Sequence, residues 1–323
     1  MVHLDSRGIV AAIEIVVYVP LAFLSVALLF KYGFKREGWI YLLILSIIRV
    51  AGGITHIIAE NQANPSTNLQ IMVMIFETAG LSPLLEATVG FLSIVKQSAF
   101  DDGHPLHKGM RLLGLLATVA LVLTVIGGEK IGQNTTNGNT SEINSGNTFR
   151  HIGVILFAVQ FGLNVLVTFY MWGHIHMIMK HRRTLLKAIT FSLPFLGVRV
   201  LYSVLSAFAP LGIPGVDSGS PSLAKFNSQH GDFGIWLIMS PVMELIVIAL
   251  YVAVGLATPL QNDYAIGRSG SPAEDTTRLY PSAYAPNATH GPSSSSVFAK
   301  PANQYAFTDG SAYAPHAPYP YAA

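Results

Sequence analysis

Glu14, Arg49, Glu77, Arg199 and Glu244 are charged side chains set inside otherwise apolar stretches of the sequence. Arg199 is the sharpest case, because it falls in the middle of SLPFLGVRVLYSVLSAF, residues 192–208. A guanidinium stays charged at every cellular pH. Moving one into hydrocarbon costs roughly 2.5–3.5 kcal/mol on insertion scales, so Arg199 requires a partner. Glu244 and Glu77 are the two candidates. Two arginines and three acids at one depth are more than packing requires. A carboxyl group shut away from water is a candidate proton donor. With Glu244 or Glu77 as the acid and Glu86 as a second carboxylate, the set suits acid-initiated chemistry on an apolar substrate. Arg49 and Arg199 would tune that acid. The competing reading is structural, since buried Arg–Glu pairs also serve only to fix helix register.

Helical spacing groups these residues. Arg49 and His56 are seven apart and share a face, with Gly52 and Gly53 on or near it, where another helix can approach closely. Ser192, Arg199, Tyr202, Ser203 and Ser206 form one polar stripe, and Ser240, Glu244 and Tyr251 another. Glu14 shares a side with Tyr18 and Ser25, and Gln160 lies four residues from Asn164. The candidate binding groups are therefore Arg49, Arg199, Tyr202, Glu14, His56 and Asn164. Glu77 and Glu86 are nine apart, half a turn out of phase, so both reach one cavity only if Pro83 bends the helix between them. His174 and His176 point about 200° apart on a helix and cannot chelate together. There is no HExxH, no phosphate loop and no nucleophile elbow, so neither metal nor cofactor is expected.

These groups need helices to hold them. The chain is 51% hydrophobic and only 11% charged, with a mean hydropathy of +0.48, which places it among membrane proteins. A net charge of +2 gives no footing for nucleic acid. The absence of cysteine excludes disulfides and thiolate chemistry. Seven runs suffice to cross about 30 Å of hydrocarbon: 9–30, 39–59, 69–95, 111–128, 151–179, 185–209 and 232–256. The fold expected is all-α, a seven-helix transmembrane bundle over 9–257 behind a short amino terminus, 1–8.

Basic residues set the orientation. Lys31, Lys35, Arg36, Lys96, Lys108, Arg111, Lys180, Arg182, Arg183 and Lys187 fall on one side, against Arg7, Lys130, Arg150 and Lys225 on the other. The amino terminus is therefore expected to be lumenal or extracellular and the carboxyl terminus cytosolic, in the endoplasmic reticulum or plasma membrane. EKIGQNTTNGNTSEINSGNT reads as a loop on the lumenal side, with glycosylation sequons at Asn134 and Asn139. From 258 to 323 Pro, Ser, Ala, Tyr and Gly dominate and SAYAP occurs twice, which reads as a disordered cytosolic tail.

GWIYLLILSIIRVAGG, ETAGLSPLLEATVGFLS, SLPFLGVRVLYSVLSAF and PVMELIVIALYVAVGL resemble a family of fungal seven-helix membrane proteins, a domain of unknown function of the 7702 type. The resemblance covers roughly residues 8–258. Arg49, Pro194, Arg199, Tyr202 and Glu244 match its polar and kink positions, whereas Glu86 stands where an apolar residue is expected. The resemblance implies fold and topology. In size and layout the chain is also similar to fungal membrane-bound terpene cyclases of meroterpenoid pathways.

Three functions follow. The first is a metal-independent terpene cyclase acting on a prenylated substrate, using an acid, a dry contoured cavity and aromatic faces. The second is a seven-helix receptor or sensor for a small molecule, although the loop after the fifth span is too short for ordinary G-protein coupling. The third is a transporter, against which stands the lack of an internal repeat. Common to all are a lipid bilayer and an apolar or prenylated small molecule as partners.

Overall fold

The computed structural model describes residues 5–33, 37–62, 67–97, 106–137, 139–210, 219–228 and 231–258. Nine α-helices lie among the described residues: α1 (Ser6–Tyr32), α2 (Glu37–Glu60), α3 (Thr67–Ala79), α4 (Leu81–Lys96), α5 (Leu106–Asn137), α6 (Thr140–Gly173), α7 (Lys180–Ala207), α8 (Phe233–Leu237) and α9 (Met243–Ala257). They supply seven spans long and apolar enough to cross a membrane, with α3–α4 forming the third and α8–α9 the seventh. The chain is an all-α integral membrane protein, as its composition requires. The segment 259–323, read above as a tail, lies outside the described residues.

The third span is the axis of the bundle. α4 packs against α2, α5, α6 and α7, and every residue of it but Ser93 is buried. The other helices ring α4: α1 on α2, α3 on α2 and α5, α5 on α6, α6 on α7, α7 on α9, and α9 back on α1. The exposed side chains of the ring are apolar, among them Val16, Phe23, Phe30, Leu166 and Phe169, as a lipid-facing surface demands. Inside, Trp39 stacks on Tyr32 with centroids 5.4 Å apart and meets the edge of Phe91 at 4.7 Å. The Tyr251 hydroxyl sits 2.9 Å from Thr88 and accepts from Ser192 at 2.8 Å, joining α9 to α4 and α7.

One expectation changes. Residues 129–148 do not form a loop: α5 runs on to Asn137 and α6 starts at Thr140. Gly127, Gly146 and Gly153 let the two backbones meet without intervening side chains, and Lys130 bridges to Glu142 at 2.8 Å. At 1.5 Å per residue, a 34-residue α6 is about 51 Å long, so the hairpin extends beyond the hydrocarbon. Asn134 thus sits on a helix, donating to the Lys130 carbonyl at 2.9 Å, and exposed Asn139 precedes the next one. The third span is divided between α3 and α4 at Gly80, which keeps helical dihedrals, and Pro83 falls in the first turn of α4; its missing N–H leaves the Ala79 carbonyl without a helical donor.

The seventh span is irregular too. Asp232 caps α8, accepting from the amides of Gly234 at 2.8 Å and Ile235 at 3.1 Å. A π-helical stretch, Ile238–Val242, then accommodates Pro241 before α9 begins. Asp232→Ala removes the cap and is expected to destabilise the protein by about 1 kcal/mol, read as a lower midpoint of thermal unfolding in detergent.

Candidate functional site

Glu244 lies in the first turn of α9, directly after the π-helical stretch, and is fully buried. Both its oxygens are engaged by Arg49 of α2, through Nε to Oε1 and Nη2 to Oε2. Planar, two-point pairing of this kind is the strongest geometry available to an arginine and a carboxylate. Arg199 of α7 donates Nε to Glu244 Oε2 at 3.4 Å, and the Tyr18 hydroxyl of α1 donates to Oε1 at 3.2 Å. The remaining groups of Arg199 are also satisfied: Nη1 donates to Ser203 at 2.7 Å and Nη2 to the backbone carbonyl of Glu77 at 2.9 Å. One carboxylate thus ties four spans together. Of the two partners expected for Arg199, Glu244 contributes its side chain and Glu77 its main chain.

The break at Gly80 serves this cluster. A Cβ at Gly80 would stand 3.1 Å from Nε and Nη2 of Arg49, closer than an ordinary contact. The bare backbone leaves the guanidinium its place beside α3 and α4.

Above the cluster, at the end of the bundle where α1 begins, opens a cavity of about 360 Å³. Ala11 and Glu14 of α1, Arg49, Gly52, Gly53, His56, Ala59 and Glu60 of α2, and Val73, Phe76 and Glu77 of α3 line it. Trp236, Ser228, Arg7 and Asp5 complete its rim. Gly53 meets Ile15 and the Ala11 carbonyl, and Gly52 meets Phe76, so both glycines admit a neighbouring helix as their spacing predicts. Trp236 donates its indole N–H to Glu77 Oε1 at 2.5 Å, and Arg7 lies over the Trp236 ring at 5.2 Å. Arg7 also donates to the carbonyls of Ser228 and of Gly231, the latter at 3.0 Å. His56 Nε2 is 3.2 Å from Glu60 Oε1. Glu14 makes neither hydrogen bond nor ion pair among the described residues; its electrostatic neighbours are Arg49, Glu244, Glu77 and Arg199.

A second, water-sized cavity of about 10 Å³ lies beside the first, lined by Glu77, Arg150, Arg199, Tyr202, Ser203 and Ser206 among others. Arg150, counted above with the loop cations, is buried here and donates to the Ser206 carbonyl at 3.0 Å. Because α6 reaches back to Thr140, that position belongs to the bundle and not to a loop. The Tyr202 hydroxyl is buried beside Ser206.

Not every sequence candidate joins the site. Glu86 is buried on α4 and faces α5, 3.3 Å from where a Cβ on Gly114 would stand and 3.5 Å from the Thr118 hydroxyl. It lines neither cavity, so it is no second carboxylate of this cluster. Asn164 and Gln160 are fully buried on α6 and line neither cavity, their amide groups without hydrogen-bond partners. His174 caps the end of α6 and His176 sits in a 3-10 turn, and no cluster of metal-ligating side chains occurs among the described residues. Reasoning from sequence missed Trp236, Arg7, Phe76 and Gly80. The capping signal GDFGIW marked Trp236 as a helix-borne side chain, but nothing local to Arg7 shows that it folds back over the bundle.

Glu244 accepts four donors and has no acceptor beside it for a proton of its own. That inventory suits a carboxylate anion. The cluster therefore braces the helices and floors the cavity. No curated protein and no solved structure matches the chain. The family model for a domain of unknown function, DUF7702, does match, over residues 4–261, which take in every span and every group of the site. The chain belongs to that family.

Proposed function

We propose that this protein is a seven-helix receptor or sensor that takes a small organic molecule into the cavity above Arg49. The observation that carries the reading is the cavity itself: about 360 Å³, with a wall drawn from three spans and a floor that is hydrogen-bonded throughout. Its volume falls in the range of small-molecule sites, about 300–1,000 Å³. Occupancy at the wall bears on Arg49 directly, and through Glu244 on α7 and α9. That gives a bound molecule a mechanical route to the rest of the bundle. Beneath the floor, Leu42, Leu45, Leu84, Phe91 and Tyr251 fill the interior, which favours holding a ligand over passing it through. By the distribution of Lys and Arg, the mouth faces the lumen or the exterior.

Acid-initiated cyclisation of a prenylated substrate has less support. Its first candidate acid, Glu244, is saturated by donors, and it asks for apolar contours where the wall carries charge.

The absence of cysteine makes the test direct. A single Ala59→Cys substitution places a thiol in the cavity wall. In nanodiscs, a membrane-impermeant maleimide is expected to label it, with labelling slowed by those members of a small-molecule panel that bind. An introduced thiol that resists the reagent in the folded protein overturns the reading.

A further inference from the structure

The wall and floor together are unequally charged. Asp5, Glu14, Glu60, Glu77 and Glu244 supply five carboxylates, against the three guanidiniums of Arg7, Arg49 and Arg199. The guanidiniums are committed. Arg49 and Arg199 are engaged by Glu244 and by neighbouring acceptors, and Arg7 by two carbonyls at the rim. The carboxylates are committed unevenly: Glu244 accepts four donors, Glu77 accepts from Trp236, and Glu60 stands beside His56 through one oxygen only. Glu14 accepts nothing, and the second oxygen of Glu60 is shut off from solvent with no donor. A half-buried carboxylate without a partner loses hydration and receives nothing in return. The same wall presents the ring of Phe76 and an edge of Trp236, whose N–H is tied to Glu77.

We infer that the ligand of this cavity is an organic cation, an amine with an apolar or aromatic body, whose ammonium pairs with Glu14 while its body lies against Phe76 and Trp236. This deepens the reading above and rests on it. An ammonium offers three donors and no acceptor, so it meets the unfilled acceptors of Glu14 and competes with none of the arginines. A carboxylate or phosphate ligand meets the reverse: its natural partners are already engaged, and the free groups repel it. Glu14 stands close enough to Arg49 and Glu244 for its charge to be felt by them, so neutralising it alters the field on the pair that joins α2 to α9.

Three probes of one shape separate the possibilities: phenethylammonium, 2-phenylethanol and 3-phenylpropionate. Each is titrated against maleimide labelling of the Ala59→Cys protein in nanodiscs. Phenethylammonium is expected to protect the thiol saturably, at a concentration about tenfold or more below that of the alcohol, with no protection by the propionate. Glu14→Gln is expected to erase the preference for ammonium over alcohol, and Glu14→Asp to keep part of it. Equal protection by the alcohol, or better protection by the propionate, overturns the cation assignment while the cavity reading stands. Labelling that none of the three slows at millimolar concentration also overturns it. A thiol that cannot be labelled at all overturns the cavity reading itself. The comparison among probes on the Glu14 protein needs no variant at that position, so it decides the question even where Glu14→Gln fails to fold.

Discussion

Glu244→Ala is expected to cost about 3–5 kcal/mol of folding stability, the largest loss of any single substitution at the site. The reason is not the value of the pair as such. Removing the carboxylate strands Arg49 and Arg199, which are 6% and 1% exposed, and neither can discharge itself. The Tyr18 hydroxyl loses its acceptor as well. The measurement is an unfolding titration in mixed micelles, with the yield of monodisperse protein as a second reading. The triple substitution Arg49→Met, Glu244→Met, Arg199→Met discards the charges together and is expected to recover much of the loss, since apolar residues of similar volume often replace a buried ionic cluster at little cost. If the single and the triple variants are equally unstable, stranded charge is not the cause.

Gly80→Leu is the second large effect. The position has ordinary helical dihedrals, so the penalty is not conformational. It comes from the side chain, whose first carbon already crowds the Arg49 guanidinium at 3.1 Å. Overpacking of this kind costs about 1–3 kcal/mol, and here the displaced group is a charge that must keep its partner. The expected result is a loss of about 3 kcal/mol in the same titration, with Gly80→Ala intermediate. A Gly80→Leu protein as stable as the wild type shows that Arg49 has another place to go.

The spans were legible because the bilayer makes the code simple: length and apolarity suffice, and all seven fall where hydropathy puts them. The cluster was legible for the same reason. A lone Arg199 in SLPFLGVRVLYSVLSAF is an unsolved charge, and few residues at its depth can answer it. What the sequence did not reveal is where neighbours overrule local pattern. Asn and Gly from 134 to 147 spell a loop by propensity, yet α5 and α6 stay helical because small residues let them pack against each other. Helical phase put Glu14 and Tyr18 on one side, but cannot say that Tyr18 reaches Glu244 while Glu14 stops at the cavity.

The third span carries a consequence for how the molecule is made. Its mean hydropathy, 1.4, is the lowest of the seven, and 89% of its most apolar stretch is enclosed by protein. A segment mostly enclosed by protein in the finished bundle has little need of a strongly apolar surface, and this one carries Glu77 and Glu86. During synthesis it emerges when only α1 and α2 precede it, before α5, α6, α7 and α9 exist to surround it. It therefore leaves the translocon poorly suited to hydrocarbon, and its stable placement waits on helices not yet translated. Chains truncated after residue 97 should hold this segment at the membrane surface, and chains extended through Ala257 should draw it in.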